Sequence, residues 1–174
     1  MKTAPSQLAW LLLPLLTFTG DLIAAERWTV ERDRVDGGDE SRPVATVSAT
    51  TGDTLRVFAD QSGRVSLSVR LRNGFERIDK SQCPTLLVDD HPPMAPQRAN
   101  GGCVTTARVV TVPLGQFVDG TIRSELLARL ISGTVLVWRV RLQKLGYREL
   151  RFTLRGSKQA LVEVLGARTT VSEK

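Results

Sequence analysis

Residues 64–72, RVSLSVRLR, alternate strictly. Val65, Leu67, Val69 and Leu71 take one side, and Arg64, Ser66, Ser68, Arg70 and Arg72 take the other. Successive side chains of an extended chain point to opposite faces, so the pattern predicts a strand with one buried and one solvated face. Residues 60–63 join it to the preceding run DTLRVFAD as a hairpin, and Asn73-Gly74 predicts a second hairpin into FERID. Earlier, RWTVERDR (residues 27–34) reads as a short first strand. Residues 35–43 read as a loop by their glycines, charges and proline, and VATVSAT follows them.

The period changes in the second half. CVTTARVVTVPLG predicts a strand ended by Pro113. SELLARLISG then places Leu126, Leu127, Leu130 and Ile131 at helical spacing, with Ser124 as a cap and Gly133 as a stop. TVLVWRVRLQKLGY returns to strand, with Leu136, Trp138, Val140 and Leu142 inward. RELRFTL supplies Leu150, Phe152 and Leu154, and SKQALVEVLG forms a second short helix capped by Ser157 and ended by Gly166. The tail TTVSEK is expected to fray. These elements predict a mainly β fold, an antiparallel β-sandwich or small barrel-like fold with two short helices in the C-terminal half. The first half has no crossover helix, which excludes a parallel α/β arrangement.

The first residues have a different character. Lys2 precedes LAWLLLPLLTF, an uncharged run of eleven residues at 8–18, and small residues end at Ala25 before Glu26. This predicts a secretory signal peptide over residues 1–25 and one β-rich exported domain over 26–174, periplasmic or secreted in a bacterium. The run is shorter than the roughly 18–20 residues a spanning helix needs, and the alternative is an uncleaved membrane tether. Removing the segment takes away Lys2 and Asp21, one charge of each sign, so the net charge stays at +6.

Export changes how the cysteines are read. Cys83 and Cys103 are the only two, and in an oxidising compartment they are expected to pair as a disulfide. The bridge would close a loop of about 20 residues, for which loop entropy gives roughly 3 kcal/mol. That loop, rich in proline and polar residues, has little to bury, so the staple is expected to replace packing. Pairing also removes a thiol nucleophile. Asp89, Asp90 and His91 offer a weak set of ligands or acid–base groups, and a hydrolase built on them is one alternative function. Structural zinc usually needs four spaced ligands, and neither a metal site nor a cofactor is expected. There is no Gly-x-Ser-x-Gly or phosphate-binding glycine motif.

The basic balance points to partners. Arg64, Arg70 and Arg72 share one strand face, Arg139 and Arg141 another, and Arg151 and Arg155 a third. If the faces adjoin, they form a positive plate suited to anionic lipid, lipopolysaccharide, a glycan or an acidic protein. The alternative is that the arginines only solvate exposed strands. Nucleic acid is disfavoured by the scarcity of aromatic residues between them.

Cys83-Pro84-Thr85, Val88-Asp89 and Gly101-Gly102-Cys103, followed by Gly133, Phe152-Thr153-Leu154, Gly156-Ser157 and Ala160-Leu161, resemble the invasion-associated locus B family of exported bacterial proteins. The resemblance covers roughly residues 53–166. It implies a signal peptide, a β-rich domain, two cysteines bracketing a loop, and a strand leading through glycine to a small helix. It brings no catalytic residues. The reading is therefore a non-enzymatic domain that binds an envelope component or a protein partner. A virulence or envelope-stress accessory factor contacting host surfaces is the alternative that the resemblance implies.

Overall fold

The computed structural model describes residues 27–34, 41–72, 74–96, 102–167 and 169–172. The signal-peptide expectation for residues 1–25, the glycines of the loop expected at 35–43 and Asn73 lie outside them. The described residues form two sheets. In the larger, β1 (Thr29–Arg34), β2 (Ser41–Ser48), β3 (Thr54–Ala59) and β4 (Arg64–Arg70) follow one another as antiparallel neighbours. The expected hairpin at 60–63 is present, because Asp60 Oδ1 accepts from the Ser62 amide, the Ser62 hydroxyl and the Arg64 amide. β4 then pairs with β7 (Val109–Val118), whose other edge carries β6 (Val104–Thr105) and β8 (Thr121–Arg123). β11 (Thr170–Ser172) adds to β8 in parallel. The smaller sheet places β9 (Val135–Leu142) between β10 (Gly146–Thr153) and β5 (Thr85–Val88).

The mainly β, sandwich-like expectation matches this architecture. Inward residues of both sheets join one core, in which Leu55, Val57, Val65 and Leu67 meet Leu86, Leu136, Trp138 and Phe152. Truncating a buried aromatic such as Phe152 to alanine costs about 3–5 kcal/mol in cores of this kind. Helix α1 (Glu125–Ser132) starts as expected, with Ser124 Oγ accepting from the Leu127 amide at 3.2 Å. Helix α2 (Ser157–Leu165) packs on α1 and on β1, β2 and β3.

Several local expectations are corrected. Ser66 and Ser68 are buried rather than solvated, because Phe58 and Pro113 flank the first in register and Arg56 and Thr111 flank the second. Small side chains in mid-sheet lie below the level of larger cross-strand neighbours. Pro113 does not end its strand. It sits on an edge of β7 left open between β6 and β8, where a missing N–H costs no ladder bond. Pro43 belongs to β2 rather than to a loop, at a residue where the β3 pairing has not begun.

Among the described residues FERID does not pair with β4, whose neighbours are β3 and β7, and Ile78 bridges to Leu142 instead. Ser157 does not cap α2. Gly156, at φ 88°, takes the cap position, and buried Ser157 Oγ donates to the Leu130 carbonyl at 2.7 Å, joining the two helices. The tail is paired through Ser172, whose carbonyl accepts from the Ser124 amide at 2.9 Å.

Candidate functional site

The arginines are separated by register and sheet membership. Arg64 and Arg70 lie at the two ends of β4 and Arg72 just beyond it, all exposed on the larger sheet. Arg139 and Arg141 of β9 and Arg151 of β10 share the outer face of the smaller sheet, where Arg141 opposes Tyr147 and Arg151 opposes Val137. Arg155 leaves the sheets and lines a cleft of about 280 Å³ with Trp28, Gln159 and Glu163. The sheets pack through their inner faces, so the sequence pattern divides into local groups rather than one plate.

The smaller sheet's outer face is the more organised of these groups. The Arg139 guanidinium lies 4.6 Å from the Tyr147 ring centroid, and the Tyr147 hydroxyl donates to Gln82 at 3.1 Å. An arginine stacked on an aromatic keeps its N–H edges available for an anion. Arg141 pairs with Asp79 at 3.3 Å, with nearly half its side chain exposed. Arg151 is exposed and makes no ion pair among the described residues. Glu149, directly opposite Arg139, adds a second acid to this face beside Asp79. On the larger sheet positive charge is offset differently, since Arg56 pairs with Asp33 at 2.6 Å and Arg42 stacks 3.9 Å from the Phe58 ring.

In the Asp89-Asp90-His91 segment the first residue has a structural use. Asp89, at φ 47°, turns its carboxylate to the amides of Thr134 and Val135 at 2.9–3.1 Å, fastening the end of β5 to the start of β9. Asp90 and His91 are exposed. Among the described residues no three of His, Cys, Asp and Glu stand close enough to hold a metal ion.

Cys83 and Cys103 form the expected disulfide. Its role differs from a staple on a coreless loop. Cys83 precedes β5 of the smaller sheet, and buried Cys103 precedes β6 of the larger, so the bridge links the sheets. The enclosed chain also contributes Leu86 and Val88 to the core, and Met94 pairs back onto Leu86 at the free edge of β5.

One buried ionic group was missed by the sequence reading. Arg148 of β10 reaches Asp53 and Glu76 together, and Asp53 is fully buried. Its signal was present: Arg148 falls on the same inward face as Leu150 and Phe152, and a charge there requires a buried partner.

No protein-family model matches the chain, and no curated protein matches it. Among solved structures, the chain is similar to the crystal structure of invasion associated protein b from Bartonella henselae. That likeness has 17% sequence identity, covers 80% of this chain and 92% of that chain, and has a TM-score of 0.49. Similarity at this level transfers neither an activity nor a partner. Among the described residues no helix is long and apolar enough to cross a membrane.

Proposed function

We propose that this chain is an exported, non-enzymatic β-domain that binds a polyanionic envelope component through the outer face of its smaller sheet. The observation that carries this reading is the grouping of exposed Arg139, Arg141 and Arg151 on one face. A rigid sheet holds such charges at fixed spacing, which favours a repeating anion over a single small one. Export is supported by the apolar run at 8–18 and by the disulfide, a bond that persists in oxidising compartments. The non-enzymatic part is supported by how the reactive groups are used: both thiols are cross-linked, and the Asp89 carboxylate holds backbone amides.

The test is binding of the mature chain to dextran sulfate and to purified lipopolysaccharide at rising salt. Exposed charge pairs contribute about 0.2–1 kcal/mol each, so Arg139→Glu with Arg151→Glu should weaken binding about tenfold and flatten its salt dependence. Unchanged affinity in a folded double variant would overturn the reading.

A further inference from the structure

We propose that the end of the domain formed by the segment around Phe75 and the β9–β10 turn docks on an anionic lipid bilayer, with Phe75 and Leu145 entering the headgroup layer. This goes beyond the sheet-face reading and stands on other residues.

Three interactions place the segment beside the turn. Ile78 bridges Leu142 in antiparallel sense, the Gln143 amide donates to the Arg77 carbonyl at 3.0 Å, and Glu76 pairs with Arg148. The Arg108 guanidinium donates to the Gly74 carbonyl at 3.0 Å and so joins the same end. Phe75 is 97% exposed and Leu145 67%. Such large apolar side chains held in water, ringed by cations, match what an interfacial anchor needs.

The charge around them is net positive. Asp79 is paired with Arg141, while Glu76 and Asp53 share Arg148, so these five groups keep one negative charge against three further cations. Arg77, Arg108 and Lys144 are exposed and make no ion pair among the described residues. Their long stems allow the heads to reach lipid phosphates while the apolar side chains go deeper. An acidic protein is the weaker match, because a protein interface draws its affinity from packed, desolvated pockets, whereas a bilayer accepts a protruding phenyl ring without a preformed socket.

The experiment uses the mature, disulfide-bonded chain with vesicles of phosphatidylcholine alone or mixed with phosphatidylglycerol. Phe75→Trp supplies a reporter, with the emission of Trp28 and Trp138 subtracted using the unsubstituted chain. The expected result is preferential binding to the phosphatidylglycerol vesicles, with a blue shift of the new tryptophan and its quenching by brominated lipid. Each basic residue at a membrane surface contributes about fivefold, so Arg77→Glu with Lys144→Glu should lower affinity at least 25-fold at low salt. Phe75→Ser should lower it about tenfold, with the unfolding midpoint unchanged.

Vesicle binding without a shift at position 75 would overturn the proposal. So would binding to poly-glutamate with none to vesicles, which would assign this end to an acidic protein. The Arg139→Glu, Arg151→Glu variant separates the two readings: loss of dextran sulfate binding with the position-75 shift retained supports both. A shift without any dextran sulfate or lipopolysaccharide binding by the native sheet face sinks the earlier reading and leaves this one standing.

Discussion

The fully buried carboxylate of Asp53 is paired with Arg148 at 2.5 Å across 95 residues of chain. The pair ties the β2–β3 turn of the larger sheet to β10 of the smaller. Asp53 also accepts from the Arg72 amide at 2.9 Å and the Thr51 hydroxyl at 2.6 Å, so its lone pairs are well used. Removing one partner of a buried pair leaves an uncompensated charge, typically costing about 3–5 kcal/mol. Arg148→Met should therefore cost that much in urea unfolding, and Glu76→Gln, at a site still partly reached by water, much less. Adding Asp53→Asn to Arg148→Met should cost less than the sum of the two single changes, since it removes the stranded charge. An Arg148→Met variant within 1 kcal/mol of the parent would show that the network does not hold the sheets together.

Alternation along β10 makes the inward position of Arg148 legible, but no local pattern identifies Asp53 as its partner. That choice depends on how two sheets stack. The same limit separates the arginine groups: period two tells which residues share a strand face, not which sheet the strand joins. β5 was missed because TLLV, between Pro84 and Asp89, is too short to display a period, and its depth comes from pairing with β9. By contrast α1, the 60–63 hairpin and the inward faces of β9 and β10 were readable, because their signals are local caps, turns and repeats.

The disulfide gives a second prediction. With a separation of 20 residues, loop closure gives roughly 3 kcal/mol. Joining two sheets gives it a further consequence: Cys83→Ala with Cys103→Ala should lower stability by about 2–4 kcal/mol and raise amide exchange in β5 and β6 more than in β1 and β2. Uniform exchange across both sheets would reduce the bridge to a general constraint on the unfolded chain.

Asp60 provides a pH prediction. Its carboxyl is held below the ordinary value of 3.8, chiefly by the Ser62 hydroxyl; burial, next in size, opposes this, and the Arg64 and Ser62 amides and the Arg64 charge add to the lowering. A carboxyl with a lowered folded-state pKa contributes stability above its unfolded value and loses that contribution as pH falls through the folded value. The contribution should thus be complete above about pH 5 and fade below pH 4. Asp60→Ala should destabilise the hairpin at neutral pH while making stability less steep in acid. Parallel acid profiles for parent and variant would show that this turn is not part of the acid response.

Asp89 separates a structural from a catalytic use of the DDH segment. Its carboxylate satisfies the Thr134 and Val135 amides, and its amide donates to the Val135 carbonyl at 3.0 Å. Asp89→Ala strands two backbone donors and places alanine at φ 47°, a conformation that aspartate tolerates better. The combined cost should be about 2–4 kcal/mol. Asp89→Asn keeps one acceptor oxygen and the backbone tolerance, and should recover most of the loss. Asp90→Ala and His91→Ala change exposed side chains and should stay within about 0.5 kcal/mol of the parent. Equilibrium unfolding of the four variants tests the ranking. If Asp89→Ala is as stable as the parent while Asp90→Ala or His91→Ala abolishes a hydrolytic turnover, the segment is a reaction centre and the fastening of β5 to β9 is incidental.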